Sequence, residues 1–229
     1  QQYDMGNYTN AIRLFEEIAP AYRGKPQAEK MFFLLSQAYF KSKQYYLAGF
    51  QFESFVSGYP KSEKVEEAYY LGAKSFAMLS PSYSLDQTDT FKAIGKLQDF
   101  IDRYPNSQYV TDANVTLKVL TDKIEQKVYE NAKLYYTIED YKAAIVALDG
   151  FLADYPGTRY KDDAMFYKLD SSFQLAINSV NSKQEERLLT AKTAFNNFIK
   201  YNSDSKHKKR AEEIAAIINL ELQKFSNIN

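Results

Sequence analysis

A short polar phrase built around Tyr-Pro recurs about every 50 residues, and this recurrence constrains the fold more than any other feature. The phrase reads "GYPKSEK" (58–64), "RYPNSQY" (103–109) and "DYPGTRY" (154–160), with a blurred copy in "KYNSDSK" (200–206). An active-site loop is built once, whereas a phrase that returns at a near-constant period marks structural units. The chain is therefore predicted to be a repeat protein.

The same apolar skeleton precedes each copy of the phrase. It starts at a small residue in five places, Ala11, Ala48, Ala93, Ala144 and Ala191. A large apolar residue follows four positions after each anchor and another follows seven positions after it, which places all three on one face of a helix. Twelve positions after the three middle anchors stand Pro60, Pro105 and Pro156.

The prolines predict where these helices end. Proline disfavours helical geometry in the preceding residue and has no amide hydrogen to donate, so each helix should stop at the tyrosine before it. A hydroxyl side chain stands two positions further on and is predicted to cap the next helix. These residues are Ser62, Ser107, Thr158 and Ser205.

The spacing of small and large residues matches the tetratricopeptide repeat. "FFLLSQAY" (32–39) fits its first helix, and Ala, Phe and Pro at zero, four and twelve fit its second. We expect an all-α, superhelical solenoid of five helical hairpins and about ten helices. It would form one domain over 1–229, with repeats near 1–22, 26–59, 62–104, 107–155 and 158–224.

Two departures from the standard repeat length are also predicted. Extra residues fall in the polar, turn-rich segments 80–88 and 178–186, which are expected to be loops. Neither proline nor glycine occurs between Ser107 and Glu139, so one long helix is expected near 107–138.

Composition argues against several classes of function. The 29 basic and 29 acidic residues balance, so nucleic-acid binding is not expected. With no cysteine and a lone His207 in "KHKKR" (206–210), neither a metal site nor a nucleophilic enzyme is expected, and His207 is interpreted as a surface residue. Phosphate-binding and hydrolase motifs are missing, so no cofactor and no catalytic residue are predicted.

Function is expected instead on the wall formed by the first helix of each hairpin. Pairs of rings lie seven residues apart there, a pattern that favours a groove for an extended peptide with aromatic side chains. The candidate groove residues are Phe33, Phe40, Tyr69, Phe76, Tyr129 and Tyr136. The alternative is that contacts between repeats bury these rings.

The segment 103–136 resembles the junction between the third and fourth repeats of the BamD family. These are tetratricopeptide lipoproteins of the outer-membrane β-barrel assembly machine. "YPNSQY" followed by a long helix is the most specific shared element, and segments 6–18 and 31–40 are similar to the first and second repeats of the family.

The resemblance implies a non-catalytic scaffold on the periplasmic face of the outer membrane, held by a lipidated cysteine upstream of Gln1. It also implies binding of the barrel-forming subunit BamA through the C-terminal repeats, and of nascent outer-membrane proteins through the N-terminal repeats. The alternative function is a generic tetratricopeptide adaptor between proteins, in the cell envelope or the cytoplasm.

Overall fold

The computed structural model describes residues 1–22 and 24–226, which form ten α-helices and no strand. The contacts divide the chain into two compact units, residues 1–124 and 125–229. The first unit contains α1 (Tyr8–Tyr22), α2 (Ala28–Lys41), α3 (Tyr45–Gly58), α4 (Val65–Ala77) and α5 (Thr88–Arg103). The long helix α6 (Val110–Thr137) begins in the first unit and ends in the second. The second unit continues with α7 (Tyr141–Asp154), α8 (Lys161–Ile177), α9 (Asn181–Tyr201) and α10 (Lys208–Ser226).

Successive helices pack as antiparallel hairpins, which confirms the predicted all-α, tetratricopeptide-like fold. Of the five predicted hairpins, four are complete among the described residues: α2 with α3, α4 with α5, α6 with α7 and α8 with α9. The first repeat supplies only its second helix, α1, and the last segment, 158–224, holds a third helix, α10. That all 229 residues form a single solenoid stays a prediction.

The Tyr-Pro phrases lie at the turns between hairpins, as predicted. Tyr59, Tyr104 and Tyr155 are the C-caps of α3, α5 and α7. The turns that follow α3, α5, α7 and α9 are 59–64, 104–109, 155–160 and 202–207, six residues each. A turn of one fixed length between hairpins explains why the phrase recurs.

The hydroxyl residues of the phrase do not cap the next helix, as predicted, but act in the connecting turn before it. Ser62 Oγ accepts a hydrogen bond from the backbone N–H of Lys64 at 3.0 Å, and Thr158 Oγ1 accepts one from that of Tyr160 at 3.0 Å. The helices α4 and α8 begin only after these hydrogen-bonded residues, at Val65 and Lys161. The hydroxyl therefore stabilises the turn that leads into the helix.

The repeated apolar skeleton forms the core of each unit. All five anchor alanines are buried, as are the large residues that follow the three middle anchors: Phe52, Phe55, Leu97, Phe100, Leu148 and Phe151. Repeat one is different, since Phe15 is only partly buried and Ile18 is exposed. Among the described residues α1 packs against α2 alone, so these apolar positions stay open.

The two departures from standard repeat length have different outcomes. The long helix is confirmed, with α6 spanning 28 residues. The segment after α4 is a loop over 78–87, but the prediction of a loop at 178–186 is wrong, because α9 already begins at Asn181. Its charged residues are compatible with an exposed helix, and the composition alone did not separate helix from loop.

Among the described residues, none of the helices is both long enough and apolar enough to cross a membrane.

Candidate peptide-binding site

Three of the six candidate groove rings are buried in the core, which corrects their placement on an open wall. Phe33 packs against Phe52 and Phe55, with ring centroids 6.2 and 5.3 Å apart. Phe76 is buried within the first unit, and Tyr129 in the second unit stacks on Tyr160. The first helix of each hairpin contacts second helices on two sides. Two rings spaced seven residues apart can therefore lie in the core as readily as on the surface.

The other three rings are partly exposed. Phe40 contacts the ring of Tyr45 at 5.6 Å. Tyr136 donates a hydrogen bond to Asp170 at 2.7 Å, and burial together with that bond raises the pKa of the Tyr136 phenol. Tyr69 lies on α4 and lines a cavity, which makes it the candidate ring best placed to meet a ligand.

The cavity beside Tyr69 has a volume of about 320 Å³ and lies between α3, α4 and α5. Its walls combine apolar atoms, one aromatic ring and an ion pair between Glu53 and Lys96. The Arg103 guanidinium carbon lies 5.3 Å from the centre of the Tyr69 ring and borders that wall. A concave site with few polar groups is suited to one apolar or aromatic side chain of a peptide.

Small residues of α4 line this cavity. Gly72 faces α3, where an added Cβ atom would lie 3.2 Å from Cβ of Phe52. Gly49 of α3 is closer still to its neighbour, because its added Cβ would lie 2.8 Å from Cζ of Phe76. Two helices with glycine at their contact approach closely, so α3 and α4 pack tightly beside the cavity.

The second unit has an equivalent but altered cavity, of about 280 Å³. Met165 stands one residue after buried Ala164, as Tyr69 stands one residue after Ala68. Lys168 takes the place of Gly72 and pairs with Asp149. The cavity in the first unit is thus the one that keeps both an aromatic wall and a glycine.

Sequence reasoning did not find the cavity residues on the second helices of the hairpins, namely Glu53, Val56, Ser57 and Lys96. The available sequence signal is Gly72, a small residue in the repeat frame. A small residue in the repeat frame can mark either a close contact between two helices or an unfilled space between them. Which of the two occurs depends on the residue that faces it from the neighbouring helix.

His207 is not the surface residue that the sequence predicted. Its ring stacks on Phe166 with centroids 4.1 Å apart and planes 4° apart, and its Nε2 lies 2.6 Å from Asp163. The same turn position holds Tyr109, stacked on Tyr70 at 4.6 Å, and Tyr160, stacked on Tyr129. His207 is thus the last of a series of turn rings that each cover the first helix of the preceding hairpin.

Asp162, Asp163 and His207 form a cluster whose ligand atoms lie within 4.8 Å of one another. The Lys206 ammonium lies 2.7 Å from Asp163 and already supplies a cation there. Burial opposes ionisation of Asp163, but the hydrogen bonds from Lys206 and His207 outweigh burial and hold its pKa below the usual range. The cluster is explained as an ion pair at the α8–α10 contact.

Repeated helical hairpins and a tetratricopeptide-like core define a helical-repeat protein. Comparison with known proteins is more specific. The model of the YfiO family, described as outer membrane lipoprotein, matches residues 1–135 and 121–224. The chain belongs to this family.

Curated relatives carry one shared name, "Outer membrane protein assembly factor BamD". The protein of Caulobacter vibrioides is 24% identical over 76% of this chain and 57% of its own length. That of Rickettsia prowazekii is 27% identical over 79% of this chain and 72% of its own length, and that of Xylella fastidiosa is 29% identical over 70% and 58%. The chain therefore spans between about half and three quarters of the length of these relatives.

Proposed function

We propose that this protein is a non-catalytic scaffold and substrate-handling subunit of the outer-membrane β-barrel assembly complex. The observation that carries the proposal is the family match, which extends over both compact units. The relatives' name as assembly factors supports the same role. A lipid tether upstream of Gln1 would hold the chain at the periplasmic face of the outer membrane.

In this proposal the C-terminal repeats bind a BamA-like, barrel-forming subunit. Several large apolar side chains of the second unit are exposed, which supports a protein contact there: Val146, Leu189, Tyr201 and Leu220. Co-purification with a tagged barrel-forming subunit from the same organism tests this contact. A stable complex is expected, and failure to co-purify would favour the generic adaptor.

The N-terminal repeats would bind an extended segment of a nascent outer-membrane protein. The cavity beside Tyr69 is the proposed receptor for an aromatic side chain of that segment, and the partly buried ring of Phe40 offers a second contact in the same unit. Aromatic side chains buried in a well-formed pocket contribute a large share of binding energy.

Filling the cavity tests the receptor without disturbing the core. Ser57 lies on the cavity wall and is exposed, so Ser57→Trp should occupy the space that a peptide ring needs. Binding of a labelled peptide from the C-terminal strand of a barrel protein, followed by fluorescence polarisation, should weaken about tenfold or more. Tyr69→Ala should weaken it to a similar extent, because the aromatic wall is lost.

The equivalent cavity of the second unit supplies the control. Met165→Ala alters the residue that corresponds to Tyr69 and should leave peptide affinity unchanged. If Ser57→Trp and Tyr69→Ala bind the peptide as well as the unaltered chain while retaining their helical content, the cavity is not the receptor. Replacing Phe33 is uninformative, since that ring is part of the core.

A further inference from the structure

The corner where α2 turns into α3 carries cations and exposed rings together. We define the α2–α3 corner as Lys41, Lys43, Tyr46, Leu47, Phe50 and, from α5, Lys92. Tyr46 is 59% exposed and Phe50 is 40% exposed, and their ring centroids lie 4.8 Å apart. The Lys92 ammonium lies 5.1 Å from the centre of the Phe50 ring, so α5 contributes to the same surface.

Acidic residues are missing from this part of the sequence. Between Glu29 and Glu53 the chain contains Lys30, Lys41 and Lys43 and not one carboxylate. A surface that combines lysines with exposed tyrosine, leucine and phenylalanine matches an anionic bilayer, since the cations meet headgroups and the rings enter the interface.

The corresponding corner of the second unit lacks this chemistry although its backbone is the same. Lys43 and Glu139 stand five residues before the anchors Ala48 and Ala144, and both adopt a φ of 62°. In the same frame Lys142 replaces Tyr46 and Val146 replaces Phe50. The fold does not require cations and rings at this turn, so a role in binding is a better explanation for them than a role in folding.

The N-terminal residues lie beside the corner. Tyr3 donates a hydrogen bond to Gln37 at 2.7 Å, and the Lys41 ammonium lies 4.7 Å from the Tyr3 ring and 5.4 Å from the Tyr8 ring. In a family described as outer membrane lipoprotein, a chain that leaves the membrane ahead of Gln1 would bring this corner close to lipid.

We propose that the α2–α3 corner is a peripheral membrane-contact surface that binds anionic phospholipid headgroups and inserts Tyr46 and Leu47 at the interface. The proposed tether is part of the function argued above. The contact itself is tested on the untethered chain, so that the two can fail separately.

The experiment is flotation of the 229-residue chain with vesicles of phosphatidylcholine alone and with vesicles in which about a third of the lipid is phosphatidylglycerol. Binding is expected only to the anionic vesicles. Lys43→Glu copies the residue of the other corner at the same φ, so the turn should keep its shape. It should weaken binding about 25-fold, because each of the two charges changed near an anionic surface contributes roughly fivefold.

Two further variants separate a specific surface from general electrostatics. Lys142→Glu makes the same charge reversal at the second corner and should leave binding nearly unchanged. Tyr46→Ser removes the exposed ring and should weaken binding while the charge is constant. The proposal is overturned if the chain does not float with anionic vesicles, or if Lys142→Glu weakens binding as much as Lys43→Glu does.

Discussion

The same substitution, glycine to alanine, should have opposite effects at two helical positions of the first unit. Gly95 lies in the interior of α5, exposed, and an added Cβ would meet no atom within 4 Å. Alanine there should stabilise the first unit by about 0.5–1 kcal/mol, because glycine in a helix costs conformational entropy.

At Gly49 the gain in helix propensity is outweighed by overlap with Phe76. The added Cβ would lie 2.8 Å from Cζ, 2.9 Å from Cε2 and 3.2 Å from Cε1 of that ring. The ring cannot easily move, since it is buried and held by Phe50 at 5.7 Å and by Lys92 at 4.2 Å. Overpacking of this kind costs about 1–3 kcal/mol, so the net destabilisation should be about 1–2 kcal/mol.

Urea unfolding followed by circular dichroism measures both variants against the unaltered chain. Since Gly49 and Gly95 lie in the same compact unit, the two midpoints report on the same unfolding step and should move in opposite directions. Equal or increased stability of Gly49→Ala would refute the inferred contact between α3 and α4.

Three further results are expected. Phe100→Ala should cost about 3–5 kcal/mol in urea unfolding because its ring is fully buried against three tyrosines, whereas Phe91→Ala on the exposed face of α5 should change stability by less than about 0.5 kcal/mol. Hydrogen bonds from Lys74 and Tyr70 lower the pKa of Asp112, so its stabilising effect should be complete above about pH 5 and lost as pH falls through the lowered pKa; Asp112→Asn should flatten the dependence of the unfolding midpoint on pH in that acidic range, and an unchanged pH profile would contradict the pair. His207→Tyr should be tolerated because two other turns use tyrosine at this position, while His207→Ala should destabilise α10 by about 1–2 kcal/mol, as measured by hydrogen exchange of its amides.

The sequence was sufficient for the fold because the repeated signals are local. The residue before Pro60 cannot readily continue a helix, and Ala48 and Phe52 fall on one helix face whatever surrounds them. These constraints act within a few residues of the chain, so the helical hairpins and the turns between them could be predicted from spacing. The loop expected at 178–186 failed because polar composition is shared by loops and exposed helices.

The binding surface was less predictable because it depends on which helix lies opposite. Phe33 and Tyr69 occupy related positions on α2 and α4, yet Phe33 is buried and Tyr69 stays partly exposed. The burial of such a ring depends on partners from a neighbouring helix that are distant in sequence, such as Phe52 and Phe55 against Phe33. His207 shows the same limit, although alignment with Tyr109 and Tyr160 would have revealed its stacking role.

The fixed turns of six residues also have a consequence for how such chains can change. Connections inside the hairpins are unequal, with three residues at 42–44, 138–140 and 178–180 but ten at 78–87. Each of these turns places an aromatic or basic side chain on a ring of the first helix of the preceding hairpin, which holds the length of the turn constant. Insertions, tags and grafted peptides should therefore be tolerated in the connections inside the hairpins and not in the six-residue Tyr-Pro turns. New contacts can then be acquired without changing how successive hairpins pack.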